Sequence, residues 1–179
     1  TDKHHGNKMT NETLPASSID QIIAWMGRII CWCVPAMALL VLIIVVLRYG
    51  FNTGAIAAQE SVQYLHATVF MLGAAVTLGA DQHVRVDIFY RGFSERQKAW
   101  VNMLGHVIFT LPVCVLIGWG SLDYVLDSWS AREASPEPGG LAYVFLLKTL
   151  IPVMASLLAL QSLAQCQRAL SSLRRGSAS

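Results

Sequence analysis

Two histidines are the side chains of this sequence whose type suits cofactor chemistry, because paired histidines on neighbouring helices can ligate haem iron. His66 and His106 each lie inside a long apolar run. At about 1.5 Å per helical residue, His66 lies about 8 Å from one end of its run and His106 about 10 Å from the opposite end of its own. Across a hydrocarbon core of roughly 30 Å their depths differ by about 12 Å, which is too far for one iron. We therefore expect packing histidines and no cofactor, with a haem-bearing anchor of a redox enzyme as the alternative.

Cysteine chemistry is not expected either. None of the cysteines has the Cys-x-x-Cys spacing of metal or redox motifs, and all lie within or beside apolar runs, where reduced packing thiols are the common state. The sequence therefore predicts no catalytic residue and no metal site. The four cysteines are Cys31, Cys33, Cys114 and Cys166.

Polar side chains inside the apolar runs are few, and none of them is a deep carboxylate. Proton-coupled pumps and small exporters use such a carboxylate as a relay or binding charge, so its absence argues against a self-sufficient transporter. A free-standing small transporter stays open as a second alternative, testable by reconstitution. Lys148 is expected to extend its ammonium group to the interface, and a salt bridge to a partner helix is the other possibility. The polar residues within the runs are Gln63, His66, Asn102, His106, Lys148 and Gln161.

Four apolar runs must position these residues, and each is long enough to cross a bilayer as a helix. Apolar residues form 54% of the chain and charged residues only 13%, against about 25% charged in soluble domains. We predict an all-α integral membrane protein of four transmembrane helices over residues 18–170. A flexible tail is expected over 1–17 and a basic tail over 171–179. The spans are predicted at about 26–47, 60–80, 99–122 and 144–167.

Basic residues predict the orientation of the helices. Ten of them lie in the N-terminal segment up to Arg28, between spans two and three, or in the C-terminal segment, and the other three, Arg48, Arg132 and Lys148, lie in the other two loops or at the span ends that border them. The positive-inside rule then places both termini in the cytoplasm, with the first span kept as a signal anchor. The net charge of +2 is too small to indicate nucleic acid as a partner.

A polar cluster over residues 81–91 follows the second span. If this segment is helical, His83 meets Asp87 and Arg85 meets Asp81 at a spacing of four residues. An apolar face on the same helix predicts an amphipathic connector that lies in the headgroup layer between helices two and three. Solvated ion pairs and a docking surface for another subunit are equally compatible with the spacing.

Four short motifs follow one another along the chain: Arg48 after the first span, Glu60 opening the second, Gly73-Ala74-Ala75 within it, and then His83-Val84-Arg85-Val86-Asp87. In this order they resemble the small (Q-type) membrane subunit of tripartite ATP-independent periplasmic (TRAP) transporters. The resemblance covers most of residues 20–170 and extends through Leu147-Lys148-Thr149-Leu150-Ile151-Pro152. It departs from the family at Ala57-Ala58-Gln59-Glu60, where many relatives have tryptophan and paired acids.

The resemblance implies an accessory subunit in a bacterial inner membrane. Its expected partners are a large sodium-coupled membrane subunit, a periplasmic binding protein that delivers an organic acid, and membrane lipids. Arg48 and Glu60 are expected at helix ends, paired with each other or with a partner. The remaining residues expected in structural or partner contacts are Gly73, His83, Arg85, Asp87 and Lys148.

Overall fold

The computed structural model describes residues 18–79 and 93–175, and four long helices account for most of both ranges. Helix α1 covers Ser18–Gly50, α2 covers Ile56–Gly79 and α4 covers Val144–Arg175. Each of the four contains a stretch long and apolar enough to cross a membrane, so the predicted all-helical architecture with four spans is confirmed. The third helix, α3, consists of consecutive segments: Glu95–Gly105, a π-helical turn His106–Thr110, Leu111–Gly120 and Leu122–Ser130.

Local sequence signals explain where these helices begin and end. At the start of α3, the Ser94 hydroxyl accepts from the Gln97 backbone N–H while the Gln97 side chain accepts from the Ser94 backbone N–H, which forms a capping box. After α1, Asn52 takes a left-handed conformation with φ of 51°, which asparagine tolerates better than most residues. The end of α3 is a Schellman motif, with Arg132 at φ 44° and the Glu133 N–H donating to the Ser128 carbonyl at 3.0 Å.

The π-helical turn in α3 was not predicted. The Leu111 N–H donates to the His106 carbonyl five residues earlier, and Pro112 follows directly. Proline has no N–H and crowds the preceding turn, so a wider turn before it lets the helix continue across the membrane. The chain therefore crosses as one interrupted helix over Arg96–Ser130.

The four helices form an open row in which α4 is central. Helix α1 packs on α2 with a smaller contact to α4, α2 packs on α4, and α4 packs on every segment of α3. Small residues allow the close crossings: a methyl group on Gly27 would lie 2.9 Å from Val76 Cγ1, and one on Gly118 would lie 3.5 Å from Ala155 Cβ. In the described part of the chain, no extensive contact joins α1 or α2 directly to α3.

Most of the apolar surface of the row is exposed. In the most apolar window of each span, no more than 11% of the residues are buried within the chain. Trp32 on α1 is 77% exposed, and Trp119 on α3 is 79% exposed, at the two ends of the row. The interior is thin and centres on α4, where Gln161 and Ser162 are fully buried.

Candidate functional site

The carboxylate of Glu60 joins the second turn of α2 to the loop between α3 and α4. Its Oε2 accepts a hydrogen bond of 2.6 Å from the Leu141 backbone N–H, and its Oε1 accepts one from the Ser135 hydroxyl. These partners lie 81 and 75 residues away along the chain. Hydrogen bonds to an ionised carboxylate are stronger than those between neutral groups. Glu60 therefore fixes the loop over the end of α2.

The loop segment that Glu60 holds is a compact turn closed by its own backbone. The Ser135 N–H donates to the Leu141 carbonyl at 2.9 Å, and the Gly140 N–H donates to the Glu137 carbonyl at 2.9 Å. No side chain fits at Gly140, because a methyl group there would lie 2.6 Å from Ser135 Cβ and 2.7 Å from Glu60 Oε1. The turn needs glycine at this position to bring its backbone up to the carboxylate.

A second carboxylate, Glu133, anchors the same loop to α4. Its Oε2 forms an ion pair with the Lys148 ammonium group and accepts a 2.6 Å hydrogen bond from the Ser128 hydroxyl. The Lys148 Nζ also lies 3.8 Å from the centroid of the Tyr124 ring, within cation–π distance. Only 14% of the Lys148 side chain is exposed, so it packs inside the chain, where extension to the interface had been expected. We call Glu60, Glu133, Ser135, Leu141 and Lys148 the loop latch.

Aromatic contacts close the latch on the side of α3. The Trp129 Nε1–H donates to the Thr149 hydroxyl at 2.8 Å, and the Trp129 ring lies 4.7 Å from that of Phe145. Because both contacts join the last turns of α3 to the first turns of α4, they reinforce the position of the loop between these helices.

Hydrogen bonding accounts for the charge state of Glu133. The contacts from Lys148 and then from Ser128 hold the pKa of the Glu133 carboxyl below its usual value of 4.5. Partial burial opposes this shift, and the charge of Lys148 adds to it. The carboxylate is therefore ionised at neutral pH, and its negative charge is used within the chain.

Other residues predicted at the site lie apart from the latch. Arg48 is exposed near the end of α1 and makes no contact with Glu60, and in the described ranges it has no ion-pair partner. Gly73 lies within α2 with nothing within 4 Å of a methyl group added there. His83, Arg85 and Asp87, with the predicted connector over 81–91, lie outside the described residues.

The two histidines lie on helices that are not packed against each other. Helix α4 stands between α2 and α3, His66 is exposed on α2, and His106 is partly buried at the π-helical turn. This arrangement does not favour a haem held between them. In the part of the chain that the structure describes, no group of three His, Cys, Asp or Glu residues could hold a metal ion.

A second feature was not recognised from the sequence as one surface: an exposed stripe on α2. Successive members are four, three, four, three and four residues apart, a spacing that keeps them on one side of an α-helix. From the sequence, Gln63 and His66 are recognised only as separate polar residues. Their spacing of three residues, which puts them on one side of a helix, is the sequence signal that indicates the stripe. We call it the α2 face; its members are the exposed residues Gln59, Gln63, His66, Phe70 and Thr77 and the half-buried Gly73.

Comparison with known proteins gives a consistent result. Residues 37–172 match the family described as tripartite ATP-independent periplasmic transporters, DctQ component. The chain is also 32% identical, over 118 residues, to a Haemophilus influenzae protein described by its name as a TRAP transporter small permease protein. That alignment covers 65% of this chain and 73% of the relative. No solved structure matches the chain.

Proposed function

Because the chain belongs to the family of DctQ components of TRAP transporters, we propose that it braces the large sodium-coupled membrane subunit of such a transporter. The chain is a small permease component, which makes it a multi-pass membrane protein of a transport system and not an enzyme. The proposed role is to widen and hold the membrane scaffold on which the large subunit moves an organic acid that a periplasmic binding protein delivers.

The open row of helices is the observation that carries this proposal. A carrier needs an interior site that is reached from either side of the membrane, usually built between repeats or around broken helices. Here α4 is the centre of a single row, and the described spans are exposed along most of their apolar windows. Such a row is suited to lie against another membrane protein, because it offers a broad surface and little interior.

The charges of the latch support the same role. Glu60, Glu133 and Lys148 all bind groups of this chain, so their charges are used to hold the loop. A transport site needs polar groups that exchange partners as substrate enters and leaves. A fixed loop is instead a suitable contact for a binding protein that docks and dissociates.

We further propose that both termini lie in the cytoplasm of a bacterial inner membrane, with the loop latch on the periplasmic side. The distribution of Lys and Arg supports this orientation. Alkaline phosphatase is active only outside the cytoplasm, and green fluorescent protein matures only inside it. Phosphatase activity from a fusion within residues 131–143 and fluorescence from a fusion after residue 179 are the expected results. The reverse pattern would overturn the orientation without affecting the family.

Affinity purification in mild detergent tests the accessory role. The chain is tagged, expressed with the large membrane subunit of its transporter, and analysed by native mass spectrometry and absorbance spectroscopy. We expect a stoichiometric complex with one polytopic partner and no Soret band. Sodium-driven uptake by the chain alone in proteoliposomes, or a Soret band with soluble redox subunits, would contradict the proposal.

A further inference from the structure

We propose that the α2 face is the docking surface for a transmembrane helix of the large subunit, one that presents hydrogen-bonding side chains to Gln63 and His66. This inference rests on the accessory function proposed above and identifies the surface that performs it. Gln63 and His66 are its polar centre, Phe70 is its projecting apolar contact, and Gly73 is its point of closest backbone approach.

Depth makes the two polar side chains informative. Helix α2 begins at Ile56, several residues before the predicted span, so depth is counted from Glu60 at the start of that span. Gln63 lies about 5 Å and His66 about 9 Å beyond Glu60 along the helix, so both lie inside the span. Polar side chains at such depth are costly against lipid and almost always face protein or a water-filled cavity.

Neither side chain finds its partner within the described chain. Both are exposed, and among the described residues neither makes a hydrogen bond. The contrast with other exposed polar residues is direct: Thr77 donates to the Gly73 carbonyl at 2.8 Å, and Ser156 donates to the Pro152 carbonyl at 2.7 Å. Those hydroxyls are satisfied within their own helices, whereas an amide and an imidazole at this depth need another molecule.

Shape supports a helix as that molecule. Phe70 is 71% exposed between the polar residues and Gly73, where an added methyl group meets nothing within 4 Å. Small residues on one face let two membrane helices approach closely, and interhelical hydrogen bonds then form across the contact. The two ends of the row differ, because they present large exposed side chains that suit lipid, among them Trp32 on α1 and Leu116 and Trp119 on α3.

The large subunit fits better than a second copy of this chain. The family is defined by a tripartite transporter, so this chain works with other components of the same system, and the proposed function makes one of them a membrane subunit. A symmetric contact between two copies would place Gln63 and His66 of one copy against Gln63 and His66 of the other. That contact could satisfy them, so a crosslinked dimer of this chain is the competing outcome that the experiment must detect.

Photocrosslinking tests the surface with a matched control. p-Benzoylphenylalanine replaces Phe70 in one variant and Trp119 in the other, because both are highly exposed aromatic residues within membrane spans. Each variant is expressed with the large subunit, irradiated in membranes and analysed by mass spectrometry. We expect a crosslink to a large-subunit helix from position 70 and no crosslink to the large subunit from position 119. A large-subunit crosslink from position 119 only, or a crosslinked dimer from position 70, would overturn the proposal.

A pair of glycine variants gives an independent test. Gly73→Leu and Gly120→Leu both place a side chain where the isolated chain has open space, since neither glycine has an atom within 4 Å of an added methyl group. We expect Gly73→Leu to lose the co-purifying large subunit and Gly120→Leu to retain it. Retention by both, or loss by both, would overturn the proposal. If the wild-type chain captures no large subunit at all, the accessory function fails. If the wild type and both variants capture it equally, the accessory function stands and only the proposal for the α2 face is wrong.

Discussion

The loop latch and the α2 face meet on α2 yet use their polar groups in opposite ways. Glu60, in the second turn of α2, has both carboxylate oxygens bound by groups of the same chain. Gln63, one turn later, is exposed and makes no hydrogen bond in the described residues. The difference indicates that one end of α2 stabilises the chain itself, while its middle is left for assembly. Changes to the latch should therefore lower the stability of the isolated chain, and changes to the α2 face should not.

The largest loss of stability is expected from Gly140→Leu. The new side chain must occupy the space of Ser135 Cβ and Glu60 Oε1, which lie 2.6 and 2.7 Å from an added methyl group. Overpacking of this kind costs about 1–3 kcal/mol. Thermal unfolding of the purified chain in detergent measures the effect. Gly54→Leu is the control, because Gly54 precedes the same helix and has nothing within 4 Å; equal melting temperatures for the two variants would contradict the latch.

A smaller decrease in melting temperature is expected from Glu60→Ala. This change leaves the Leu141 N–H and the Ser135 hydroxyl without their acceptor, so the loop loses its connection to α2. Glu60→Gln keeps an oxygen for the Leu141 N–H, so its melting temperature should lie between those of Glu60→Ala and the wild type. Faster proteolysis of the 131–143 loop in Glu60→Ala would locate the effect. Identical stability of Glu60→Ala and the wild type would show that the loop does not depend on this carboxylate.

A decrease in melting temperature that depends on pH is expected from Glu133→Gln. Because its pKa is held below 4.5 in the folded chain, its stabilising contribution is complete above pH 4.5 and is lost as the pH falls through the lowered folded value. Melting temperatures of the wild type and Glu133→Gln are compared from neutral pH into this acidic range. We expect the difference between them to be greatest at neutral pH and to shrink on acidification, so a difference that stays constant would contradict this role.

The smallest effect on the isolated chain is expected from the double variant Gln63→Leu, His66→Leu. Neither side chain has a hydrogen-bond partner in the described chain, so no internal contact is lost. The melting temperature should remain that of the wild type, while affinity for the large subunit should fall by about tenfold, for two interhelical hydrogen bonds of roughly 0.6–1 kcal/mol each. Detergent-dependent unfolding and pull-down titration measure the two quantities. A clear loss of stability would show that the α2 face also serves the chain's own fold.

Features encoded locally were predictable from the sequence, and features that depend on distant residues were not. The apolar runs predict four spans, and Ser94 with Gln97 predicts the start of α3, because both signals act within a few turns of helix. The π-helical turn before Pro112 is also local, but a proline in a span is compatible with several distortions. Its form could not be selected from the sequence.

The contacts of the loop latch and the order of the helices in the row could not be predicted from the sequence and are known only from the structure. Apolar periodicity does not tell which membrane helices are neighbours, since every span has apolar residues on most faces. The partners of Glu60 are 75 and 81 residues away, and Arg48 was the nearer candidate in sequence. Lys148 and Glu133 are only 15 residues apart, but their pairing depends on the Schellman motif that turns the chain back at Arg132.

The most direct test of the account is the change in melting temperature of this chain when the large subunit is bound. A partner that binds only the folded chain raises its stability by mass action. The wild-type chain should melt at a higher temperature in the complex than alone, and co-expressed Gly73→Leu should melt where the isolated variant does. A rise in Gly73→Leu equal to that of the wild type, or no rise in the wild type, would contradict the division between a self-contained latch and an assembly face.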